Sequence, residues 1–287
     1  MNEPLVIALD VGGSSVKSAL VATGPKIVGE VSVHSIDSKA RADEILEAFS
    51  AIIAGHLKDL SNPRGIAMAF PGPFDYRQGV CLIQDQAKYD TLYGVNVSAS
   101  LRGILGLPDL EIRYRNDAEA AILGEALYGA GAGFPRLLGL TLGTGLGSAF
   151  VADGTIITMG PGVPDHGWLY SQPYGGQRAD DVFSTRGLLV RMHVHGIQAT
   201  DIASVLAAAN EHHDVLAEVF ASFGTDLGTF LKPFVSDFRA DGVLVTGGIA
   251  EASDRFAPSL ERSLRIPVIK GIMGARAALL GVAALYF

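Results

Sequence analysis

Residues 9–21 read LDVGGSSVKSALV, and a similar stretch, LTLGTGLGSAFV, occupies residues 140–151. Each places a tight glycine turn between two runs rich in Val, Leu and Ala that lack a helical period, which is the pattern of a strand, a turn and a second strand. The repetition of this unit in the two halves of a 287-residue chain indicates a divergent duplication.

The segments around the two units predict a mixture of strands and helices. Residues 5–35 indicate three strands in an antiparallel meander, and residues 41–60 carry apolar side chains at three- and four-residue steps, which is typical of an amphipathic helix. GIAMAF at residues 65–70 indicates a buried strand. Residues 240–256 add a third strand, a double-glycine turn and a helix, and the run at 273–287 is typical of a buried helix.

The composition excludes several classes of protein. A net charge of −8 and a pI near 5.3 argue against a protein that binds nucleic acid, since such proteins present a basic face. Cys81 is the only cysteine, which excludes an intrachain disulfide framework and indicates a reducing compartment. No signal peptide or membrane span is visible, and we expect a cytoplasmic protein.

Three glycine turns follow predicted strands, and each could direct backbone N–H groups at an anion. One such turn alone is more often a plain hairpin, whereas three suggest an extended ligand that carries phosphates. The GTGLGS stretch is not a Rossmann fingerprint, because Ser148 stands at the third glycine position and a strand follows it.

Four polar residues are candidates for the chemistry, two of them beside the first glycine turn and two at the start of a predicted helix. Asp10 could hold Mg²⁺ or its waters and Lys17 could hold a phosphate, or they are a strand-end Asp and a surface Lys. Asn116 or Asp117 could simply cap a helix. Alternatively, the helix dipole and N–H donors keep the Asp117 carboxylate ionised, so that it accepts the proton of an attacking hydroxyl.

Five segments, in this order, resemble the ROK family of sugar kinases and repressors, which has the actin/hexokinase-like ATPase fold. The resemblance covers nearly the whole chain, and Ser14 stands where the family's first phosphate motif usually has threonine. The segments are DVGGSSVK at 10–17, FPGPFDYRQG at 70–79, RNDAEAAILGEALYGAGAG at 115–133, LTLGTGLGSAFV at 140–151 and VLVTGGIAE at 243–251.

The resemblance implies an α/β fold with two actin-like (ribonuclease H-like) lobes, each a mixed sheet flanked by helices, and an active site in the cleft between them. We expect residues 1–117 with the terminal helix at about 273–287 in the first lobe, and residues 118–272 in the second. The helix-turn-helix segment of the family's repressors would precede the first phosphate motif. Only nine residues precede Asp10, which argues against a DNA-binding member.

The resemblance also implies an ATP- and Mg²⁺-dependent kinase that phosphorylates a hexose or hexose derivative, most often at the 6-hydroxyl. Asp117 is the expected general base, and Asp10 is expected to place Mg²⁺, through water. The implied nucleotide residues are Asp10, Gly12, Gly13, Ser14, Ser15, Lys17, Gly143, Thr144, Gly145, Gly247 and Gly248. The implied sugar residues are Gly72, Asp85, Asn116, Asp117, Asp165 and Asp181.

The loop GVPDHGWLYSQPY at residues 162–174 departs from the family pattern. Family members usually read G-E-x-G-H there and carry three cysteines shortly after it, and the histidine and cysteines bind structural zinc. In this chain Asp165 stands at the glutamate and Trp168 at the histidine, so a tetrahedral zinc site lacks its donors and we expect no zinc. We expect aromatic packing by Trp168, Tyr170 and Tyr174 to hold the loop instead, although a purely structural loop stays an alternative.

Two other functions remain open at this point. The chain could be a non-catalytic pseudokinase or sugar sensor, or a glucokinase that uses polyphosphate as the donor. Kinases of the family are often dimers, but one sequence reveals no interface. The sugar itself is not identified.

Overall fold

The protein is described by a computed structural model that covers residues 4–58, 60, 63–207 and 213–287. The described chain forms two compact units, one of Met1–Gly124 with Ala275–Phe287 and one of Glu125–Gly274. The strands are β1 Leu5–Val11, β2 Ser15–Ala22, β3 Lys26–Ser35, β4 Gly65–Phe70, β5 Phe74–Asp75, β6 Val80–Cys81, β7 Ile112–Asn116, β8 Arg136–Leu142, β9 Leu146–Ala152, β10 Thr155–Ile157, β11 Pro173–Tyr174, β12 Gln177–Arg178, β13 Gly242–Thr246 and β14 Val268–Lys270. The α-helices are α1 Ala42–Leu57, α2 Val97–Leu105, α3 Asp117–Tyr128, α4 Ala179–Phe183, α5 Thr185–Val194, α6 Ile202–Ala207, α7 His213–Phe238, α8 Ser253–Leu264 and α9 Ala275–Ala283.

Each unit contains a five-stranded mixed sheet, and the two sheets have the same topology. The strand order is β3-β2-β1-β4-β7 in the first unit and β10-β9-β8-β13-β14 in the second. In both, three antiparallel strands continue into two parallel ones. The duplication that the two glycine turns predicted is therefore present in the strand order and directions.

The central strands β1 and β4 of the first unit are buried on both faces of the sheet. Ile7 and Leu9 of β1 belong to an apolar cluster that also contains Ile45 and Phe49 of α1, and all four side chains are almost fully buried. Helix α9 packs against β1, β2 and β4. Because both faces are covered, β1 and β4 are continuous apolar runs rather than alternating ones.

The core of the second unit is centred on α7, which packs against α8. The rings of Phe220, Phe223 and Phe230 on α7 lie in one cluster with Phe183 of α4 and Phe256 of α8. None of the helices that the structure describes is both long and apolar enough to cross a bilayer.

The sequence-based predictions of these elements are confirmed. The meander is β1 to β3, the amphipathic helix is α1, the buried strand is β4, and the terminal run forms α9. The predicted fold class is confirmed as well, because each unit is a mixed sheet flanked by helices.

Two glycines let α3 and α9 approach each other until their backbones touch. A Cβ atom on Gly281 would overlap the carbonyl oxygen of Ala120, and one on Gly124 would overlap the carbonyl oxygen of Ala277. Neither glycine has a positive φ, so the requirement is for space and not for a special backbone conformation. The helices cannot keep this distance with any larger residue.

We expect Gly281→Ala to lower the free energy of unfolding by about 3 kcal/mol or more, because the methyl group must displace backbone atoms in a packed core. Chemical denaturation measures this change. Gly55→Ala is the matched control, because Gly55 lies in α1 with open space around it, and alanine there should be neutral or stabilising by up to about 1 kcal/mol. Equal effects of the two substitutions would contradict the packing described here.

Candidate active site

Three parallel strands of the first unit end at one edge of the sheet and bring distant parts of the chain together. In the register of β1, β4 and β7, Asp10 pairs with Ala69, and Phe70 pairs with Asn116. The carboxyl ends of parallel strands are the usual position of ligand sites in open α/β sheets. The first glycine turn, the Pro-Gly loop and the Asn-Asp pair therefore follow neighbouring strand ends.

The first glycine turn is a tight hairpin between β1 and β2. The N–H of Gly12 donates to the carbonyl of Ser15 at 2.9 Å, and the N–H of Ile36 donates to the carbonyl of Ser14 at 3.1 Å. The hydroxyl of Tyr89 donates to the carbonyl of Gly12 at 2.6 Å. Gly13 and Ser14 are exposed at the tip of the turn.

Asp10 and Lys17, which the sequence proposed separately, form a pair across β1 and β2. They are direct partners in the strand register, and Lys17 Nζ lies 3.0 Å from Asp10 Oδ2. The Asp10 carboxylate is only 16% exposed, so the ammonium partly neutralises a charge that water hardly reaches. Lys17 is therefore held by Asp10 and is not a free surface lysine.

The pair Asn116 and Asp117 marks the transition from β7 to α3. Asn116 Oδ1 accepts from the backbone N–H groups of Ala118 at 3.1 Å and Glu119 at 3.2 Å, so Asn116 is the capping residue. Asp117 Oδ1 accepts from the N–H of Ala118 at 2.8 Å. The sequence left open which of the two residues caps the helix. In the structure Asn116 is the cap, so the Asp117 carboxylate is not needed for capping.

The pKa of Asp117 is raised above the usual aspartate value, chiefly because the carboxyl is buried. The bond from the Ala118 N–H and the charge of Lys88 lower the pKa, and the charge of Asp10 raises it further. Desolvation therefore has a larger effect on this pKa than the N–H donor at the helix N-terminus, which favours the charged form as expected from the sequence. A carboxylate with a raised pKa is the stronger base.

Tyr76 orients Asn116, and the sequence gave no indication of this role. The Asn116 amide Nδ2 donates to the Tyr76 hydroxyl at 3.1 Å, and that hydroxyl donates to the carbonyl of Phe70 at 3.2 Å. Gly72 lies beside both, because a Cβ atom on Gly72 would stand 3.1 Å from the Tyr76 oxygen and 3.7 Å from Asn116 Nδ2. One N–H of the Asn116 amide remains for a ligand.

The second unit places the second glycine turn between β8 and β9. The N–H of Gly143 donates to the carbonyl of Gly145 at 3.1 Å, and Thr144 and Gly145 are exposed. Asp180 Oδ1 accepts from the N–H of Leu146 at 2.7 Å, and the N–H and hydroxyl of Thr185 donate to the carbonyl of Gly143 at 2.7 and 2.9 Å. Asp180 and Thr185 thus fasten the turn, and neither was among the predicted residues.

The third turn follows β13. Gly247 has a φ of 93°, and a Cβ atom there would lie within van der Waals overlap of the carbonyl of Leu142, so the position requires glycine. Gly248 begins a short 3₁₀ helix, Gly248–Ala252, that leads into α8. Gly247 and Gly248 are both exposed.

The three acidic residues predicted to contact a sugar outside the Asn-Asp pair have different surroundings. Asp181 forms an ion pair with Arg186 at 2.6 Å, and the same guanidinium lies 3.1 Å from Asp180. Asp165 is exposed in a short 3₁₀ helix of the second unit. Asp85 is exposed in the first unit, with a φ of 58°.

The loop that contains Trp168 is anchored mainly through Gly167 and Leu169, the residues on either side of Trp168. The hydroxyl of Ser148, buried in β9, donates to the carbonyl of Gly167 at 2.7 Å and accepts from the N–H of Leu169 at 2.9 Å. The Leu169 side chain is fully buried. The Trp168 ring is half-buried between His166 and Tyr170, with ring centroids 4.6 and 5.9 Å away.

Tyr174 shows the aromatic packing that we expected. Its ring lies 5.1 Å from that of Phe183 and 5.8 Å from that of Phe230 in the core of the second unit. The loop is therefore held at Tyr174 by aromatic packing and near Trp168 by the Ser148 hydroxyl.

A model of the ROK family matches residues 6–283, nearly the whole chain. This chain belongs to the ROK family.

Known ROK proteins and their structures are similar along the whole chain. The glucokinase of Halalkalibacterium halodurans is 26% identical, over 88% of this chain and 83% of its own. An inorganic polyphosphate/ATP-glucomannokinase from Arthrobacter sp. strain KM is 25% identical with a TM-score of 0.71, over 99% of this chain and 98% of its own. A ROK family glucokinase from Streptomyces griseus, in complex with glucose and AMPPNP, is 20% identical with a TM-score of 0.73, over 98% of each chain.

The zinc motif of the ROK family has no counterpart in the loop of this member. Trp168 supplies no ligand atom, and within residues 4–58, 60, 63–207 and 213–287 no three His, Cys, Asp or Glu side chains lie close enough together to hold a metal ion. Where the family's pattern places zinc ligands, this ROK protein has tilted ring contacts of Trp168 with His166 and Tyr170.

We expect Ser148→Ala to lower the free energy of unfolding by about 1–3 kcal/mol, because it leaves the N–H of Leu169 and the carbonyl of Gly167 without a partner in a buried place. Trp168 is the only tryptophan, so its fluorescence should also shift toward that of a more solvated ring. Ser171→Ala is the control, because Ser171 lies in the same loop but is exposed. If Ser148→Ala changed neither quantity more than the control did, the anchoring role would be wrong.

Proposed function

We propose that this ROK protein is a sugar kinase that transfers a phosphoryl group from ATP, with Mg²⁺, to a hydroxyl of a hexose or hexose derivative, with the 6-hydroxyl as the first choice. One observation carries the proposal: Asp117, a buried carboxylate of raised pKa, lies beside Asn116 at the sheet edge that also carries Asp10 and the first glycine turn. The similarity to glucokinases supports the same reaction.

In the proposed reaction Asp117 orients the sugar hydroxyl and takes its proton. The bond between the sugar oxygen and phosphorus forms while the bond between phosphorus and the leaving oxygen of ADP breaks. Because the transition state of phosphoryl transfer is loose, positioning and neutralisation of charge matter more than a strong nucleophile. The carboxylate therefore needs only to accept a proton late in the reaction, and burial makes it a better acceptor.

Asn116 is the second residue that we propose for the sugar. Its Oδ1 is used by the two N–H groups of α3, and one hydrogen of its Nδ2 is used by Tyr76. The remaining N–H is a donor in a fixed direction for a sugar oxygen. Gly72 leaves room beside it, and Asp85, Asp165 and Asp181 complete the proposed set of sugar residues.

We propose that the glycine turns bind the nucleotide. The turns at Gly12 to Ser15 and Gly143 to Gly145 have exposed tips suited to phosphates, and Gly247 and Gly248 are proposed to lie under the nucleoside. AMPPNP, an ATP analogue, is bound by the glucokinase of Streptomyces griseus. Lys17 contributes a positive charge next to the first turn.

Asp10 fits a role in placing Mg²⁺. Its Oδ2 is bonded to Lys17, and its Oδ1 forms no hydrogen bond within the described ranges, so one carboxylate oxygen is available to the ion or to its water shell. When bound, Mg²⁺ neutralises phosphate charge and orients the nucleotide. We propose no zinc at the Trp168 loop, and a cytoplasmic location for the enzyme.

A screen for phosphorylated products tests the proposal. The purified protein is incubated with ATP, Mg²⁺ and each of glucose, mannose, fructose, allose and the N-acetyl-hexosamines, and sugar phosphate is measured by mass spectrometry. We expect at least one sugar phosphate, formed in equal amount with ADP. A protein that binds sugars but forms none of these products would be a sensor.

Polyphosphate is a second candidate donor, and the similarity to a polyphosphate/ATP-glucomannokinase is the observation that favours it. The same assay with polyphosphate in place of ATP separates the two donors. Turnover with polyphosphate alone would replace ATP in the proposal.

We expect Asp117→Asn to lower kcat by roughly 10³-fold, because the amide cannot accept the proton, while the dissociation constant of the sugar changes by less than about fivefold. Steady-state kinetics and calorimetry measure the two quantities. Asp153→Asn is the control, because Asp153 lies in the turn between β9 and β10 with a φ of 47°, a conformation that asparagine also adopts. A kcat within threefold of the wild type for Asp117→Asn would remove Asp117 as the base.

A further inference from the structure

The segment from Gln84 to Asp90 of the first unit has an unusual backbone. Asp85, Ala87 and Tyr89 have φ values of 58°, 56° and 58°, in the left-handed region that side chains other than glycine rarely adopt. Such conformations persist only where the surrounding structure fixes them, and they are concentrated at functional sites. The contacts that fix this segment therefore indicate what it positions.

Tyr89 ties the segment to the first glycine turn. Its hydroxyl donates to the carbonyl of Gly12 at 2.6 Å, and its N–H donates to the carbonyl of Ser38 at 2.6 Å. Its ring is fully buried, with centroids 6.2 Å from Phe49 and 5.5 Å from Phe70. The residue before Tyr89 is consequently held beside the turn.

That residue is Lys88, and it is a cation with no partner in the described parts of the chain. Its side chain is half-buried, and its Cδ lies 3.9 Å from the place of a Cβ atom on Gly13. It forms no hydrogen bond or salt bridge with any residue in the described ranges, whereas Lys17, the other lysine beside the turn, is bonded to Asp10.

The positive charge of Lys88 also affects the pKa of Asp117, the proposed base. It lowers the pKa of Asp117, against the larger effect of burial, while the charge of Asp10 raises it. Lys88 is therefore near both the carboxylate that would accept the proton of the sugar hydroxyl and the turn that would hold a phosphate.

We propose that Lys88 binds the phosphoryl group as it passes to the sugar, an inference that rests on the proposed function. The transferred group must lie next to the hydroxyl at Asp117, and its equatorial oxygens carry the charge that has to be neutralised. A lysine ammonium is a compact point charge on a flexible stem, which suits a group that moves during the reaction. The segment with left-handed residues and Tyr89 together hold Lys88 beside the first glycine turn.

A cation at this place could also bind an anionic substituent on the sugar. The position of Lys88 beside Gly13 favours the transferred phosphoryl group, because Gly13 belongs to the proposed phosphate turn. The two ligands predict different results for the same variant, so one experiment separates them.

The test compares Lys88→Met with the wild type in binding and in turnover. Isothermal titration calorimetry with Mg²⁺ is used to measure the affinities for AMPPNP, which has the third phosphate, and for ADP, which lacks it. We expect Lys88→Met to weaken AMPPNP binding about tenfold and to change ADP binding by less than twofold. With a neutral sugar, kcat should fall on the order of 10²-fold, as for the loss of one preorganised donor.

Two further readouts separate a contact with the phosphoryl group from a structural role. Lys88→Arg, which keeps the charge, should recover part of the lost kcat, and the acidic limb of kcat/KM should move to higher pH in Lys88→Met, because Asp117 loses a neighbouring cation. Lys58→Met, at an exposed lysine after α1, is the control and should change none of these quantities.

The inference is overturned if Lys88→Met keeps the AMPPNP affinity and the kcat of the wild type with neutral sugars. It is also overturned, in favour of an anionic sugar, if the variant loses activity only with sugar acids or sugar phosphates. A wild-type protein that binds neither nucleotide would refute ATP as the donor in the proposed function, a result distinct from a loss seen only in the variant.

Discussion

The parallel pairing of β4 with β1 on one side and with β7 on the other is the constraint on which the rest of the first unit depends. It brings the ends of three strands, separated by long stretches of sequence, to one edge. Asp10, Gly72 and Asn116 with Asp117 lie at or just after those ends, and the apolar runs of β1 and β4 are buried on both faces. The chemistry of the site is thus positioned by core packing, and α9 completes that packing across Gly124 and Gly281.

Burial at this edge also determines the charges. The Asp10 carboxylate is largely removed from water and has Lys17 as its partner. Asp117 has one backbone donor and the more distant charge of Lys88, and burial outweighs both, so that its pKa is raised. Two carboxylates at one edge of the sheet, in β1 and just after β7, therefore have different properties: the first is paired with Lys17, and the second is the proposed base. The same division of roles between environments underlies many acid and base pairs in enzymes.

The sequence predicted what is encoded locally. The residues themselves predicted the repeated strand, turn and strand units, the three glycine turns and the Asn-Asp pair, and the ROK resemblance added the two mixed sheets and the roles of these residues. The residues that it missed act on partners far away in the chain: Tyr76 on Asn116, Asp180 and Thr185 on the second turn, Ser148 on the Trp168 loop, and Tyr89 on Gly12. A hydroxyl or carboxylate in a loop carries no local signal of such a partner. The family pattern assigns Asp181 to the sugar, but it gives no sign of the ion pair that Asp181 forms with Arg186.

The central claim is that burial makes Asp117 a stronger base than an ordinary aspartate. Carbon-13 NMR of protein labelled at aspartate carboxyl groups, with Asp117→Asn to assign the signal, measures its titration directly. We predict a pKa above the ordinary value of about 3.9, so that the carboxyl gains its proton at higher pH than an unperturbed aspartate does. A pKa at or below that value would contradict the account, because the helix N-terminus would then outweigh burial.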